Sequence, residues 1–251
     1  MKTSNILILA LLITCNCAIA QDTLYIYKSG TVVLKSAINN IDSITFYNST
    51  TSSGNSVTDI DGNLYHTVTI GTQVWMLENL KVTHYRNGLS IPEVTDNAGW
   101  SGLTSGACCW YNNDQASYKT DYGAFYNWYA VNDSHYLCPI GWHVPTDVEW
   151  NTLLNYLGGA NVADQKLNET GTTHWQSNSN ATNESGFTAL PGGYRNNVGT
   201  FYFIGTQGNW WSSSEQNSLK SYSRSIDQLF GGVSRNVLSK NSGVSVRCIK
   251  D

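Results

Sequence analysis

The most constraining feature of the sequence is a fully specified helix between Thr146 and Gly159. Thr146 is a favoured N-cap residue, and Glu149 follows at the position where its side chain completes a capping box. Gly158 and Gly159 end the segment, as glycines commonly do after a helix. In between, apolar residues recur at the spacing of one helix face: Trp150, Leu153, Leu154 and Leu157. Such a helix must bury this face against another layer of secondary structure.

A second helix is predicted from aromatic residues at i, i+3, i+4 and i+7: Tyr122, Phe125, Tyr126 and Tyr129. Strand patterns lie before and after the two helices. The first follows a turn at Asp61-Gly62-Asn63, and the last alternates from Val244 to Cys248 after a turn at Phe230-Gly231-Gly232. The order of strands, two helices and strands predicts an α+β fold with short antiparallel sheets and long ordered loops.

The first twenty residues are predicted to be a secretory signal peptide. Lys2 precedes an apolar run from Ile6 to Ile13, which is too short to span a bilayer, and Ala18-Ile19-Ala20 forms a cleavage site. A lipoprotein signal with Cys15 as the lipidated residue is the competing interpretation. No later apolar run reaches about 18 residues, so no transmembrane segment is expected in the mature chain. The protein is therefore expected to be secreted or attached to the cell surface.

The mature chain is predicted to contain two parts. Residues 21–47 have the alternation of a small β-rich segment, and residues 48–56 are rich in Ser, Thr, Asn and Gly, as in a flexible linker. Residues 57–251 then form the main domain.

The mature chain contains four cysteines: Cys108, Cys109, Cys138 and Cys248. They permit three pairings, and an oxidising compartment favours at least one disulfide. Cys138 precedes the capped helix and Cys248 lies in the last strand, so a bond between them is the preferred pairing. Cys108 and Cys109 could form a vicinal disulfide, or one could stay buried and reduced.

Composition and motifs exclude several classes of function. The formal net charge is −4, only 13% of residues are charged and no basic run occurs, so nucleic-acid binding is not expected. The sequence contains no G-x-S-x-G, H-E-x-x-H, G-x-G-x-x-G or Walker motif, and no zinc-ligand spacing. We therefore expect a protein that is not an enzyme and needs no cofactor.

Two segments are candidates for ligand binding. Trp210 and Trp211 are neighbours in a predicted strand, so one could be buried and the other exposed beside Glu215, although both could also be buried. Asn112-Asn113-Asp114 is a loop rich in oxygen ligands, as is the segment 180–184, and calcium binding at such a loop is possible. The metal content is otherwise unknown.

From about Val57 to Asp251 the chain resembles the Fibrobacter succinogenes major paralogous domain, a family of exported bacterial proteins. The resemblance is carried by seven segments: Asp59-Ile60-Asp61-Gly62-Asn63, Trp75-Met76-Leu77-Glu78-Asn79-Leu80, Tyr122-Gly123 with Tyr126-Asn127-Trp128-Tyr129, Cys138-Pro139-Ile140-Gly141-Trp142-His143-Val144-Pro145-Thr146, Leu190-Pro191-Gly192-Gly193-Tyr194-Arg195, Trp210-Trp211-Ser212-Ser213 and Ser245-Val246-Arg247-Cys248.

This family is similar to the formylglycine-generating-enzyme branch of C-type-lectin-like folds. In this chain, the segment Val144–Trp150 resembles the motif that opens a helix in that branch. The resemblance implies export to the surface or outer membrane and a C-type-lectin-like scaffold. The enzyme of that branch uses a pair of cysteines near the end of its domain. Here Cys248 stands alone, so its activity is not carried over. We expect a binding module for glycans or other surface molecules, or alternatively a structural component of the surface without a small ligand.

Overall fold

The structure is a computed structural model that describes residues 23–28, 31–37, 56–178 and 180–251. The predicted signal peptide and linker residues 48–55 lie outside the described residues. The chain divides into two compact units, Met1–Thr51 and Ser52–Asp251. Within the described residues, no helix is both long enough and apolar enough to cross a membrane.

The helices and strands are, in chain order, β1 (Thr23–Lys28), β2 (Thr31–Ala37), β3 (Ser56–Thr58), β4 (Leu64–Ile70), β5 (Gln73–Met76), α1 (Asn97–Ser101), β6 (Cys108–Cys109), a 3₁₀ turn (Tyr111–Asn113), α2 (Gln115–Tyr122), β7 (Phe125–Tyr126), α3 (Trp128–Val131), β8 (Trp142–His143), α4 (Asp147–Tyr156), α5 (Ala160–Leu167), β9 (Tyr194–Arg195), β10 (Phe201–Tyr202), β11 (Gln207–Glu215), β12 (Lys220–Asp227), β13 (Val233–Ser239), β14 (Val244–Ser245) and β15 (Ile249–Lys250).

The first unit contains the antiparallel pair β1–β2. The second unit contains a six-stranded sheet in the order β13-β12-β11-β14-β7-β6, a five-stranded sheet in the order β3-β4-β5-β15-β8, and the pair β10-β9. All strand pairs in these sheets are antiparallel except β11–β14. The α+β class is confirmed, but the described residues form five α-helices where two were predicted.

Helix α4 is the predicted capped helix. Thr146 Oγ1 accepts a hydrogen bond from the Glu149 backbone N–H at 3.2 Å, and Glu149 Oε2 accepts one from the Thr146 N–H at 2.7 Å. Its apolar face is buried, and Trp150 contacts Trp75 and Trp210 with ring centroids 4.9 and 6.4 Å apart. The helix is thereby fixed between the two large sheets, because β5 carries Trp75 and β11 carries Trp210.

The predicted helix through the aromatic residues 122–129 is wrong. Helix α2 ends at Tyr122, because Gly123 has φ +71° and a Cβ at this position would lie 2.7 Å from the Leu80 carbonyl oxygen. Phe125 and Tyr126 form β7, which pairs with β6 and β14. The regularly spaced aromatic residues therefore belong to a short strand and to the two helices on either side of it. Pairing of this strand with distant strands outweighs the local helical periodicity.

A buried polar cluster around Asn79 joins distant parts of the second unit. Asn79 Oδ1 accepts hydrogen bonds from Trp210 Nε1 at 2.8 Å and from the Arg247 guanidinium at 3.0 and 3.2 Å, while Asn79 Nδ2 donates to the Tyr122 carbonyl. Arg247 also donates to the Phe187 carbonyl and stacks on the Phe187 ring at 4.1 Å. Burial lowers the pKa of Arg247 to about 9, so the guanidinium remains charged at neutral pH.

The Cys138–Cys248 disulfide is confirmed. It joins the segment before β8 to the segment before β15, and both sulfurs lie in the core. Cys108 and Cys109 are free and buried, so they form no vicinal disulfide. Burial raises the pKa of the Cys109 thiol to about 12 and that of the Cys108 thiol further, which keeps both protonated and unreactive at neutral pH.

His143 ties β8 to the capped helix and to the chain end. Its Nδ1 lies 2.6 Å from Asp251 Oδ1 and its Nε2 lies 2.8 Å from Glu149 Oε1. Burial acts to lower the pKa of His143, but its hydrogen bonds to the Asp251 and Glu149 carboxylates raise it above 6.5. Burial acts to raise the pKa of Glu149, but its hydrogen bonds with Thr146 and His143 lower it below 4.5.

These shifts predict a pH dependence of stability. A raised His143 pKa stabilises the fold below pH 6.5 and this contribution is lost as pH rises through the folded value, whereas Glu149 contributes above pH 4.5 and its contribution is lost as pH falls. As pH rises above 6.5, His143→Gln should therefore lose less stability than the wild type. Since about a third of the His143 side chain is exposed, we expect less than about 1 kcal/mol.

The measurement is the denaturant midpoint at several pH values between 5 and 9, in roughly equal steps across the linkage range. His66→Gln is the matched control, because His66 pairs with Glu78 but is 62% exposed and its pair is screened by solvent. If the denaturant midpoint of His143→Gln depended on pH as it does in the wild type, His143 would not be the source of this pH dependence.

Candidate functional site

The six-stranded sheet presents a polar face at its β11–β12–β13 end. Residues directly opposite one another on neighbouring strands point to the same face. The register pairs Gln207 with Asp227, Asn209 with Ser225, Ser225 with Ser234, and Ser223 with Asn236. The side chains that form the floor of a groove on this face are Gln207, Asn209, Ser225, Asp227, Ser234 and Asn236.

The opposite face of the same strands packs against helix α4. Trp210 and Arg224 are register partners, and both are buried on that face. Arg224 Nη2 lies 2.6 Å from Asp147 Oδ1 and 2.8 Å from Asn151 Oδ1. Strict alternation thus separates an α4-facing side, which carries the tryptophan and the arginines, from a groove-facing side of amides and hydroxyls.

Aromatic side chains line the groove beside this polar floor. Tyr194 and Phe203 line it directly, and Tyr202 completes a cluster in which the three ring centroids lie 5.8 to 5.9 Å apart. Phe203 is 50% exposed. The groove has a volume of about 390 Å³, within the range of roughly 300–1,000 Å³ typical of small-ligand sites.

The backbone fixes Phe203 in an unusual conformation. Its φ is +66°, which is a genuine outlier for a bulky residue. A Cβ at Gly193 would lie 2.2 Å from the Tyr202 carbonyl oxygen, so only glycine lets the two segments approach this closely. The Phe203 carbonyl also accepts hydrogen bonds from the Thr206 and Gln207 N–H groups at 3.1 and 3.0 Å. The backbone that carries the ring is therefore fixed by these contacts, and the ring itself packs against Tyr194 and Tyr202.

A second aromatic wall comes from the turn between β12 and β13. Phe230 lines the groove and is 84% exposed. Gly231 and Gly232 have φ +64° and +72°, as the predicted hairpin turn requires. A Cβ at Gly232 would lie 2.9 Å from the Ala160 carbonyl oxygen, so the turn rests against the start of α5. The turn consequently presents Phe230 to solvent from a supported backbone.

Hydrogen bonds orient the floor and leave acceptors and donors for a ligand. Gln207 Nε2 donates to Asp227 Oδ2 at 3.0 Å, Asn209 Nδ2 donates to Gln207 Oε1 at 3.1 Å, and Asn236 Nδ2 donates to Ser225 Oγ at 2.8 Å. Within residues 56–178 and 180–251, the Asn236 amide oxygen and the Ser234 hydroxyl have no hydrogen-bond partner in the protein. The floor is a fixed array of amides and hydroxyls.

Of the two alternatives for Trp210 and Trp211, the structure shows burial of both and not exposure of one beside Glu215. Both side chains are fully buried, each with its indole N–H bonded to a remote partner: Trp210 to Asn79 Oδ1 and Trp211 to the Tyr126 carbonyl at 2.7 Å. They anchor β11 in the core from both faces. Neither contacts solvent, and neither lines the groove, although β11 supplies two residues of its floor.

The remaining predicted ligand residues lie outside the groove lining. Glu215 is about half exposed and forms an ion pair with Lys240 at 2.6 Å. Asn112, Asn113 and Asp114 are exposed, as expected for a loop. Asp114 caps α2 by accepting from the Ser117 N–H at 3.0 Å. Hydrogen bonds with the Ser117 side chain and backbone lower the pKa of Asp114. Asn113 Nδ2 donates to the Thr95 carbonyl.

Metal ligation finds no support in clustered side chains. In the part of the chain that the structure describes, no three His, Cys, Asp or Glu side chains converge as a ligand set. The segment 180–184 is held to neighbouring backbone, because the Thr182 N–H donates to the Gln165 carbonyl at 2.7 Å. Calcium binding by amide and carbonyl oxygens remains a prediction.

Sequence reasoning missed the groove residues Phe203, Gln207, Asn209, Asp227 and Phe230. Two signals pointed to them. Small polar residues alternate with larger ones along β12, where Ser221, Ser223, Ser225 and Asp227 are interleaved with Tyr222, Arg224 and Ile226. At residues 230–232 an aromatic residue precedes two glycines, and a turn of this composition is typical of the protein surface.

The fold and the groove together define an α+β domain closed by one disulfide, with a site of ligand size on its largest sheet. Residues 68–250 match the model of the Fibrobacter succinogenes major domain, and the chain belongs to that family. No curated protein and no solved structure matches the chain.

Proposed function

We propose that the protein is an exported binding module that recognises glycans through the groove on the β11–β13 face. The observation that carries the proposal is the juxtaposition of exposed aromatic rings with a fixed array of amides and hydroxyls. Aromatic faces bind the apolar C–H faces of sugar rings, and amide and hydroxyl groups bind sugar hydroxyls. The proposal assigns no catalytic step and requires no cofactor.

The scaffold in this proposal is C-type-lectin-like, and the protein acts outside the cell or at the bacterial surface. Membership of a family that resembles exported lectin-like domains supports this assignment, as does a buried disulfide, which an oxidising compartment favours. In addition, long loops are positioned by short strands, an arrangement that suits recognition on a rigid scaffold.

The proposal predicts that Phe203→Ala and Phe230→Ala each weaken glycan binding about tenfold, because each removes apolar contact worth on the order of 1.4 kcal/mol. The measurement is a glycan array followed by calorimetric titration of the strongest-binding oligosaccharide. Leu219→Ala is the matched control, since Leu219 is 71% exposed and precedes β12 at the end opposite Phe230. Titrations with calcium and with a chelator test a contribution from the Asn112–Asp114 loop.

Two outcomes would contradict this function. The first is saturable binding that Phe203→Ala and Phe230→Ala leave unchanged. The second is the absence of glycan binding together with self-association that is lost on deleting residues 21–47, which would support a structural component of the surface.

A further inference from the structure

The groove contains very little charge. Among the described residues that line it, Asp227 is the only acidic one, and none is a lysine, arginine or histidine. The Tyr194 phenol is neutral at pH 7, because burial and the nearby Tyr202 raise its pKa. A ligand in this groove therefore meets one carboxylate and no compensating cation.

Strand alternation explains why the nearby cations do not reach the groove. Arg224 and Arg235 are register partners on β12 and β13, and their neighbours Ser225 and Ser234 lie on the groove side. Both arginines bond Asp147 on the α4 side, at 2.6 and 2.9 Å, and Arg235 stacks on Tyr222 at 3.6 Å. Both guanidinium groups are thus held at one carboxylate on the far face of the sheet, away from the groove.

The Asp227 carboxylate is fixed at the end of the floor. Its Oδ2 accepts from Gln207 Nε2 at 3.0 Å, and its Oδ1 accepts from the Leu229 N–H at 2.8 Å. Both oxygens have room for a further donor, such as a sugar hydroxyl or ammonium. An anionic sugar would instead place like charge beside it, and like charges across an interface are strongly unfavourable.

Resting on the proposed glycan-binding function, we propose that the groove selects glycans without anionic groups, and that Asp227 is the specificity-determining residue that rejects uronate and sulfated sugars. Neutral oligosaccharides and amino sugars are the ligand class that the lining fits. The amides and hydroxyls of the groove bind the hydroxyl groups of these sugars, and the rings of Phe203 and Phe230 contact the apolar faces of the sugar rings.

The test uses the full mature chain and an array of neutral, amino-sugar, uronate and sulfated oligosaccharides. The strongest-binding neutral oligosaccharide is then compared with its own derivative oxidised to the uronate at C6. We expect the wild type to bind the oxidised form at least about tenfold more weakly at low salt, and we expect high salt to reduce this difference. Asp227→Asn, which keeps the shape of the side chain, should bind the two forms within a few-fold of each other.

The outcomes separate this inference from the function on which it rests. If the oxidised form binds the wild type as well as the neutral form, or if uronates dominate the array, the charge selection is wrong. Should Phe203→Ala still weaken that binding about tenfold, the glycan-binding function stands without the charge selection. If no glycan binds at all, both fail. Thermal unfolding of Asp227→Asn shows that the variant is folded, with a modest decrease in stability expected, because its amide replaces only one of the two carboxylate oxygens that accept hydrogen bonds.

Discussion

Replacing both Cys138 and Cys248 with alanine will lower the free energy of unfolding by about 2–5 kcal/mol. The bond spans 110 residues and ties the segment before the capped helix to the closing strand. It restricts the conformations of the unfolded chain, and the entropy that the unfolded chain loses increases with the length of the loop that the bond closes. Denaturant unfolding of the oxidised double variant and wild type measures the difference.

Cys108→Ala is the matched control for this prediction. Cys108 is as deeply buried in the same core cluster but forms no crosslink. Its replacement should cost only about 1 kcal/mol, the order expected from a small loss of core volume. Equal denaturant midpoints for the double variant and the wild type would show that the disulfide does not stabilise the domain.

Arg247→Ala will be comparably destabilising, by about 3–5 kcal/mol. The substitution removes three donors from the cluster around Asn79 and opens a cavity beside Phe187 and Trp210. It leaves the buried Phe187 carbonyl without its donor, whereas Asn79 Oδ1 keeps only the hydrogen bond from Trp210 Nε1. Arg247 is fully buried, and no carboxylate lies within hydrogen-bonding distance of it among the described residues. Its hydrogen bonds and ring contacts, together with a longer-range attraction to Glu78, therefore offset the cost of burying its charge.

The control for this variant is Arg235→Ala, which breaks a half-exposed ion pair with Asp147 and should cost less than about 1 kcal/mol. Chemical denaturation monitored by tryptophan fluorescence measures the free energy of unfolding of both variants. The Trp210 ring lies against Arg247 and contributes to this signal. A loss no larger in Arg247→Ala than in Arg235→Ala would contradict the role of the Asn79 cluster.

Local signals predicted the parts of this fold that depend on local chemistry. The capping box of Thr146 and Glu149 defined α4, because both reciprocal hydrogen bonds are formed within one helical turn. The glycine turn at residues 230–232 was likewise predicted from residues that are neighbours in the chain. The disulfide is predicted from one cysteine before the capped helix and one in the last strand, and four cysteines permit only three pairings.

Features that depend on distant contacts were not predictable from the sequence. Phe125 and Tyr126 have helical spacing, yet their backbone groups pair with strands from residues 108–109 and 244–245. Trp210 is a candidate ligand-binding residue from the sequence, but its N–H donates to Asn79, 131 residues away. The groove combines residues from β9 to β13, each of which is an ordinary strand or turn residue when considered alone.

The central claim, that glycans bind in the groove on the β11–β13 face, is tested most directly by nuclear magnetic resonance. Side-chain amide signals of Gln207, Asn209 and Asn236 are followed while the strongest-binding oligosaccharide is added. These three signals should shift saturably, with one common dissociation constant. If they stay in place while signals of Asn112 and Asn113 shift, binding occurs at the other loop and the groove is not the site.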